Sequence, residues 1–149
     1  MKRAVIEVTG MSLKKHLRFV ILEHEPAVLF ARTPAIHYDW MFEVQGSLRT
    51  FATDPIDLLG QEIQSNLPAT ELAKHRLDYL HLRGDIGRGR GCVTEIARGN
   101  YQVNKNNQDC FDVVLDFQQP CFENSIHCNF SRRASDFESP SWIFEIMIE

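Results

Sequence analysis

The 149-residue chain has no apolar run that approaches the roughly 18 residues of a membrane-spanning helix. No membrane role is expected. Its first residues, MKRAVIEVTGMSLKK, lack the apolar stretch of a secretory signal. The four cysteines, Cys92, Cys110, Cys121 and Cys128, include no C-x-x-C pair, which removes the usual signature of a zinc or thioredoxin-type site. Reduced thiols in a cytoplasmic protein are the expectation. Positive charge is not in excess either: Lys and Arg number 16 against 20 Asp and Glu, which argues against a nonspecific nucleic-acid coat built on clustered cations. With no internal repeat and no low-complexity linker, residues 1–149 read as one domain, 1–17 being allowed as a flexible N-terminal segment.

What charge there is lies unevenly. Arg83 to Arg98 holds four arginines against Asp85 and Glu95, whereas Asp109 to Glu149 holds eight acids against Arg132 and Arg133. A polyanion would dock on the earlier stretch. Strand patterns dominate: RFVILEH (18–24), the strictly alternating HYDWMFEV (37–44), a Gly46-Ser47 turn and a returning LRTFA (48–52), then CVTEIA, FDVVLDF, SIHCNF and WIFEIMI. Asp54 as N-cap and Pro55 at the first helical position predict a short helix running through IDLLGQEIQSN, with Ile56, Leu59 and Ile63 on one face. Many short strands with little helix suggest a closed barrel or a sandwich.

The chemistry starts on HYDWMFEV. Side chains alternate along a strand, so His37, Asp39, Met41 and Glu43 share one face while Tyr38, Trp40, Phe42 and Val44 form a core face that fixes the register. An imidazole and a carboxylate two residues apart can reach one ion at about 2.0–2.2 Å if a third ligand arrives from elsewhere. His24, at the end of the preceding strand, is the natural third. Three protein ligands leave positions open for water or substrate.

The string RFVILEH, HYDWMFEVQGSLRTFA, HRLDY, GDIGRGRG and ARGNY resembles, in order and spacing, the 3′-phosphoesterase domain of bacterial DNA ligase D, over Arg18 to Val103. The resemblance implies a small closed antiparallel β-barrel with one or two short helices. It also implies Mn²⁺, or another divalent transition metal, held by His24, His37 and Asp39. The implied activity is removal of 3′-phosphates or 3′-ribonucleotides from DNA ends in non-homologous end joining, with end-joining repair proteins as partners. His75 falls on the family's phosphate-contacting histidine and Tyr79 on its tyrosine.

The chain departs from the family at Met41, where an arginine normally clamps phosphate from the metal-ligand face, and again near Leu67, where another arginine is expected. Arg49, Arg76, Arg88 and Arg90 are the candidate replacements. The segment EPAVLFARTPAI between His24 and His37 is longer than the family's spacing. Met41 keeps open a noncatalytic module that binds DNA ends or a phosphate ligand. A third reading joins His37 and Asp39 to His127, with Arg132 nearby, as the two-histidine, one-carboxylate site of an iron oxygenase.

Overall fold

In the computed structural model the described residues are 17–27, 35–58, 66–118, 125–133 and 141–148. Among these residues nine strands run β1 (Leu17–Glu25), β2 (His37–Val44), β3 (Ser47–Thr53), β4 (Leu67–His75), β5 (Gly84–Asp85), β6 (Cys92–Asn106), β7 (Cys110–Phe117), β8 (Ile126–Arg132) and β9 (Trp142–Ile148). They form one antiparallel sheet in the order β1-β2-β3-β4-β9-β8-β7-β6-β5, and β1 also pairs with β6. That pairing closes eight strands into a barrel and leaves β5 as a short addition. Leu17 already pairs with Tyr101 inside β1, so the segment allowed as flexible ends before it, and residues 1–16 lie outside the described ones.

The alternation read from the sequence decides what is inside. Tyr38, Trp40 and Phe42 of β2 join Phe19, Ile21, Phe51, Phe111, Phe130, Trp142 and Phe144 in the interior. Phe130 stacks on Phe51 at 4.2 Å and on Phe144 at 4.5 Å between centroids. Within this group Trp40 Nε1 donates to Thr53 Oγ1 at 2.9 Å, as a buried indole requires.

A second, smaller apolar cluster lies on the outer face: Val20, Leu22, Met41, Leu48 and Val93 are covered by Tyr79 and Leu80 of a single 3-10 turn, Leu77–Leu80. This turn is the only helical structure among the described residues. The helix expected from Asp54 is not formed over its described part, since 54–58 are irregular, and the rest of that expectation lies outside the described residues. Leu58 is buried in the interior and Ile56 packs against it. Two core contacts two residues apart suit extended chain, not a helical face.

Strand β4 carried no strand signal, because LPATELAKH buries only Ala69. It pairs with β9 over three residues, Leu67–Ala69, and with β3 from Ala69 to His75. Among the described residues no helix is long and apolar enough to cross a membrane. Among the described residues Cys92, Cys110 and Cys128 are unpaired.

Candidate active site

His24 and His37 are brought face to face by the β1–β2 register, which pairs them directly and places Asp39 opposite Leu22. Their rings lie 4.9 Å apart at 68°. Asp39 sits between them: Oδ2 is 3.4 Å from His24 Nδ1 and Oδ1 is 3.2 Å from His37 Nε2. One ligand atom from each residue falls within a group spanning at most 4.8 Å, so the three could hold a metal ion.

The hydrogen bonds around the triad show which atoms are free to coordinate. His24 Nε2 lies 2.7 Å from the Arg90 carbonyl and His37 Nδ1 lies 3.3 Å from the Ala35 carbonyl. A carbonyl only accepts, so each of these nitrogens carries the ring proton. In the neutral rings the lone pairs are therefore on His24 Nδ1 and His37 Nε2, the two nitrogens aimed at Asp39. Two lone pairs and a carboxylate converging on one point repel unless a cation lies between them. Asp39 Oδ1 is also buried without a hydrogen-bond partner of adequate geometry, although a buried carboxylate oxygen ordinarily has one. The donor set, the orphaned oxygen and the outer carbonyls that fix each ring all fit a divalent metal.

Without an ion, protons take its place. The Asp39 carboxylate holds the pKa of His24 and of His37 above the usual 6.5, against a partial burial that lowers it. Burial pushes the Asp39 carboxyl up, but the two imidazoles outweigh it and leave the group below its usual range.

The triad opens into a cleft of about 630 Å³ whose walls include Leu72, Lys74, His75, Arg76, Tyr79, Arg88 and Arg90. All five site residues expected from the sequence therefore meet in one cleft. His75 reaches it through a bulge: from Leu72 to His75 is three steps on β4 against two on β3, from Thr50 to Leu48. The extra residue turns His75 to the same side as Leu72. Its Nδ1 donates to the Ala73 carbonyl at 2.9 Å, which leaves Nε2 for the cleft. Tyr79 meets His75 edge-on, centroids 5.0 Å apart, and its hydroxyl accepts from Arg90 Nη1 at 3.3 Å.

The 3-10 turn that carries Tyr79 is fastened to β6. A bulge puts two residue steps of β6, Glu95 to Ala97, against one of β1, so Glu95 and Arg98 share the outer face opposite Leu22 and Val20. Arg83 bonds Glu95 and donates to the carbonyls of Tyr79 at 3.2 Å and Leu80 at 3.0 Å. Arg98 donates to Glu95 Oε1 at 3.0 Å and also to the Leu80 carbonyl. Neither bulge has a sequence signal, and this clamp was not anticipated.

The candidate phosphate-binding arginines separate. Arg76, Arg88 and Arg90 line the cleft, but Arg49 does not. Its guanidinium lies over Phe51, Phe111 and Trp142 at 5.1–5.7 Å, with Glu71 Oε2 at 2.9 Å and Asn106 Oδ1 at 2.6 Å. Arg49 pairs with Phe42 and shares the inward face of β3 with Phe51, so it faces the barrel interior at its mouth. Met41 is 1% exposed beneath Tyr79 and Leu80, so its position on β2 is part of the outer apolar cluster. His127 belongs to β8, which does not neighbour β2, and pairs with Asp112 at 2.7 Å while Arg132 pairs with Asp109 at 3.2 Å. Among the described residues the group that could hold a metal joins His37 and Asp39 to His24 and not to His127.

Fold and site together define a small antiparallel barrel with a candidate metal centre at the head of a cation-lined cleft. Neither protein-family models nor curated proteins give a match to this chain.

Proposed function

We propose that this barrel is a metal-dependent phosphoesterase that acts on 3′ ends of DNA, removing a 3′-phosphate or a 3′-ribonucleotide, with Mn²⁺ at His24, His37 and Asp39. The observation that carries the reading is that the triad, His75, Tyr79 and three arginines line one cleft in which, among the described residues, Asp39 is the sole acidic side chain. The setting suits a phosphate ester, whose negative charge would be met by Lys74, Arg76, Arg88 and Arg90.

When bound, a divalent ion supplies charge neutralisation at a phosphoryl oxygen. The remaining steps fall to side chains. As an imidazolium, His75 would keep one proton on Nδ1 for the Ala73 carbonyl and give the other from Nε2 to the leaving oxygen. The Tyr79 hydroxyl already accepts from Arg90, so its own hydrogen is available to a phosphate oxygen. The apolar cover of Tyr79 and Leu80 over Met41 and Leu22 keeps water from one side of the triad, which strengthens every polar contact there.

Single-turnover assays on primer-templates ending in 3′-phosphate or a 3′-ribonucleotide test the reading. Mn²⁺-dependent product is expected from the wild type. H75A should cut the rate by about 10²–10⁴ with Mn²⁺ binding intact, and end-joining proteins would be the physiological partners. No product under these conditions would sink the activity. The burial of Met41 favours a second reading, a noncatalytic module that binds DNA ends or a phosphate ligand, because no cation on β2 reaches the phosphate. Tight end binding without turnover would select it.

A further inference from the structure

We propose that the turn Ile86–Gly91 is a phosphate-binding element in which Arg88 grips the anion and Arg90 is the strut that holds the turn. The inference rests on the phosphoesterase reading only for the identity of the anion as a phosphate ester.

The backbone singles out Arg88. Gly87, Arg88 and Gly89 have φ of 84°, 55° and 70°, three successive left-handed residues. Glycine adopts that conformation freely, whereas a side chain there costs about 1–2 kcal/mol. Arginine sits in it between two glycines, yet Arg88 makes no hydrogen bond or ion pair among the described residues. Among the described residues nothing offsets its strain, and an unfavourable backbone held for no such contact is a pointer to function.

Arg90 is the opposite case. Its guanidinium donates to the carbonyls of Gly87 at 3.2 Å and Ile86 at 2.8 Å and to the Tyr79 hydroxyl at 3.3 Å, while its own carbonyl takes the His24 ring proton. The turn is closed by Ile86 N–H to the Gly91 carbonyl at 3.0 Å and by Gly87 N–H to Asp85 Oδ1 at 2.7 Å. It is pressed against the end of β1 at Gly91, where a Cβ would lie 2.2 Å from the Glu25 carbonyl oxygen. The turn is therefore anchored at both ends beside the His24, His37 and Asp39 triad, and the guanidinium at its apex, in the cleft wall, is uncommitted among the described residues. A planar fork of donors matches phosphate oxygens bidentately. Among the described lining residues, four cations against one carboxylate suit a phosphate better than a monocarboxylate.

The test is titration of the full chain with inorganic phosphate at low ionic strength in the presence of a chelator, followed calorimetrically, with Mn²⁺ binding measured separately by electron paramagnetic resonance. R88G removes the cation and also relieves the left-handed strain, so the variant should fold; R88N, which tolerates that conformation, is the second variant. Both should weaken phosphate binding about tenfold or more, which equals about 1.4 kcal/mol, and leave Mn²⁺ affinity within about twofold. R132A at the barrel mouth controls for general loss of charge and should bind phosphate like the wild type. The proposal is overturned if R88G and R88N bind phosphate as the wild type does, if R132A weakens binding equally, or if the wild type binds none. Loss of phosphate binding in R88G, in a protein without turnover, would support the cradle and sink hydrolysis. Unchanged turnover in R88G would do the reverse.

Discussion

Replacing Asp39 by asparagine should separate metal binding from folding. The amide keeps the shape of the carboxylate in a site that is 3% exposed, so no cavity forms. With the charge gone, the pKa of each imidazole returns toward its ordinary value and both rings are neutral at pH 7.5. The lone pairs on His24 Nδ1 and His37 Nε2 then face an amide whose Nδ2 can donate across the present 3.2–3.4 Å separations. One good hydrogen bond in place of two ion pairs should leave metal-free stability within about 1 kcal/mol of the wild type. The metal response should differ completely. A ligand at 100 times its dissociation constant stabilises the native state by about 2.7 kcal/mol. In a domain of this size each kcal/mol moves the melting temperature by about 2–4 °C. Saturating Mn²⁺ should therefore raise the wild-type midpoint by about 5–11 °C and that of D39N hardly at all. Differential scanning fluorimetry with and without Mn²⁺ reads both quantities at once. A D39N protein that keeps the full shift would show that the carboxylate is not a ligand. A wild type with no shift from any divalent transition metal would remove the metal centre altogether.

Gly91→Ala places a Cβ 2.2 Å from the Glu25 carbonyl oxygen and 2.8 Å from Pro26 Cα at φ 100°, so it should destabilise by about 2–4 kcal/mol in urea melts and weaken Mn²⁺ binding by moving the Arg90 carbonyl off His24. Burial pushes the Glu95 carboxyl up, but hydrogen bonds from Arg83 and Arg98 hold it below its usual 4.5. Its stabilisation is fully present above that value and lost as pH falls through the lowered one, so wild type and E95Q should differ in melting temperature at pH 7 and converge towards pH 3. Met41→Arg restores the residue of the resembled family, but at a position 1% exposed under Tyr79 and Leu80. It should lower stability by about 3 kcal/mol or more, read by urea titration, and equal stability would show that this cover opens readily.

Much of the barrel was legible because alternation is a local property. In β2 every second residue is large and apolar, which sets the strand, its buried face and the common side of His37 and Asp39. His24 joins His37 and Asp39 in one group because β1 runs to the register position opposite His37. Strand β4 escaped for the converse reason, since a strand with one buried residue shows no period to read. The helix expected after Asp54 rested on a cap and a face, yet Ile56 and Leu58 found the barrel interior first.

The amino-acid sequence by itself therefore determined the β-rich class, the inward face of β2 and the residue types of the candidate centre, because these depend on neighbours along the chain. The face on which His75 emerges, the withdrawal of Arg49 into the barrel mouth and the clamp of Glu95 on the Tyr79 turn were decided by the tertiary structure. Each depends on a bulge or a register between strands, where one extra residue reverses the side to which everything after it points. The same holds for the turn that sets Arg88 beside the triad: its glycines were visible, but only the packing of Gly91 against Glu25 brings it to the end of β1.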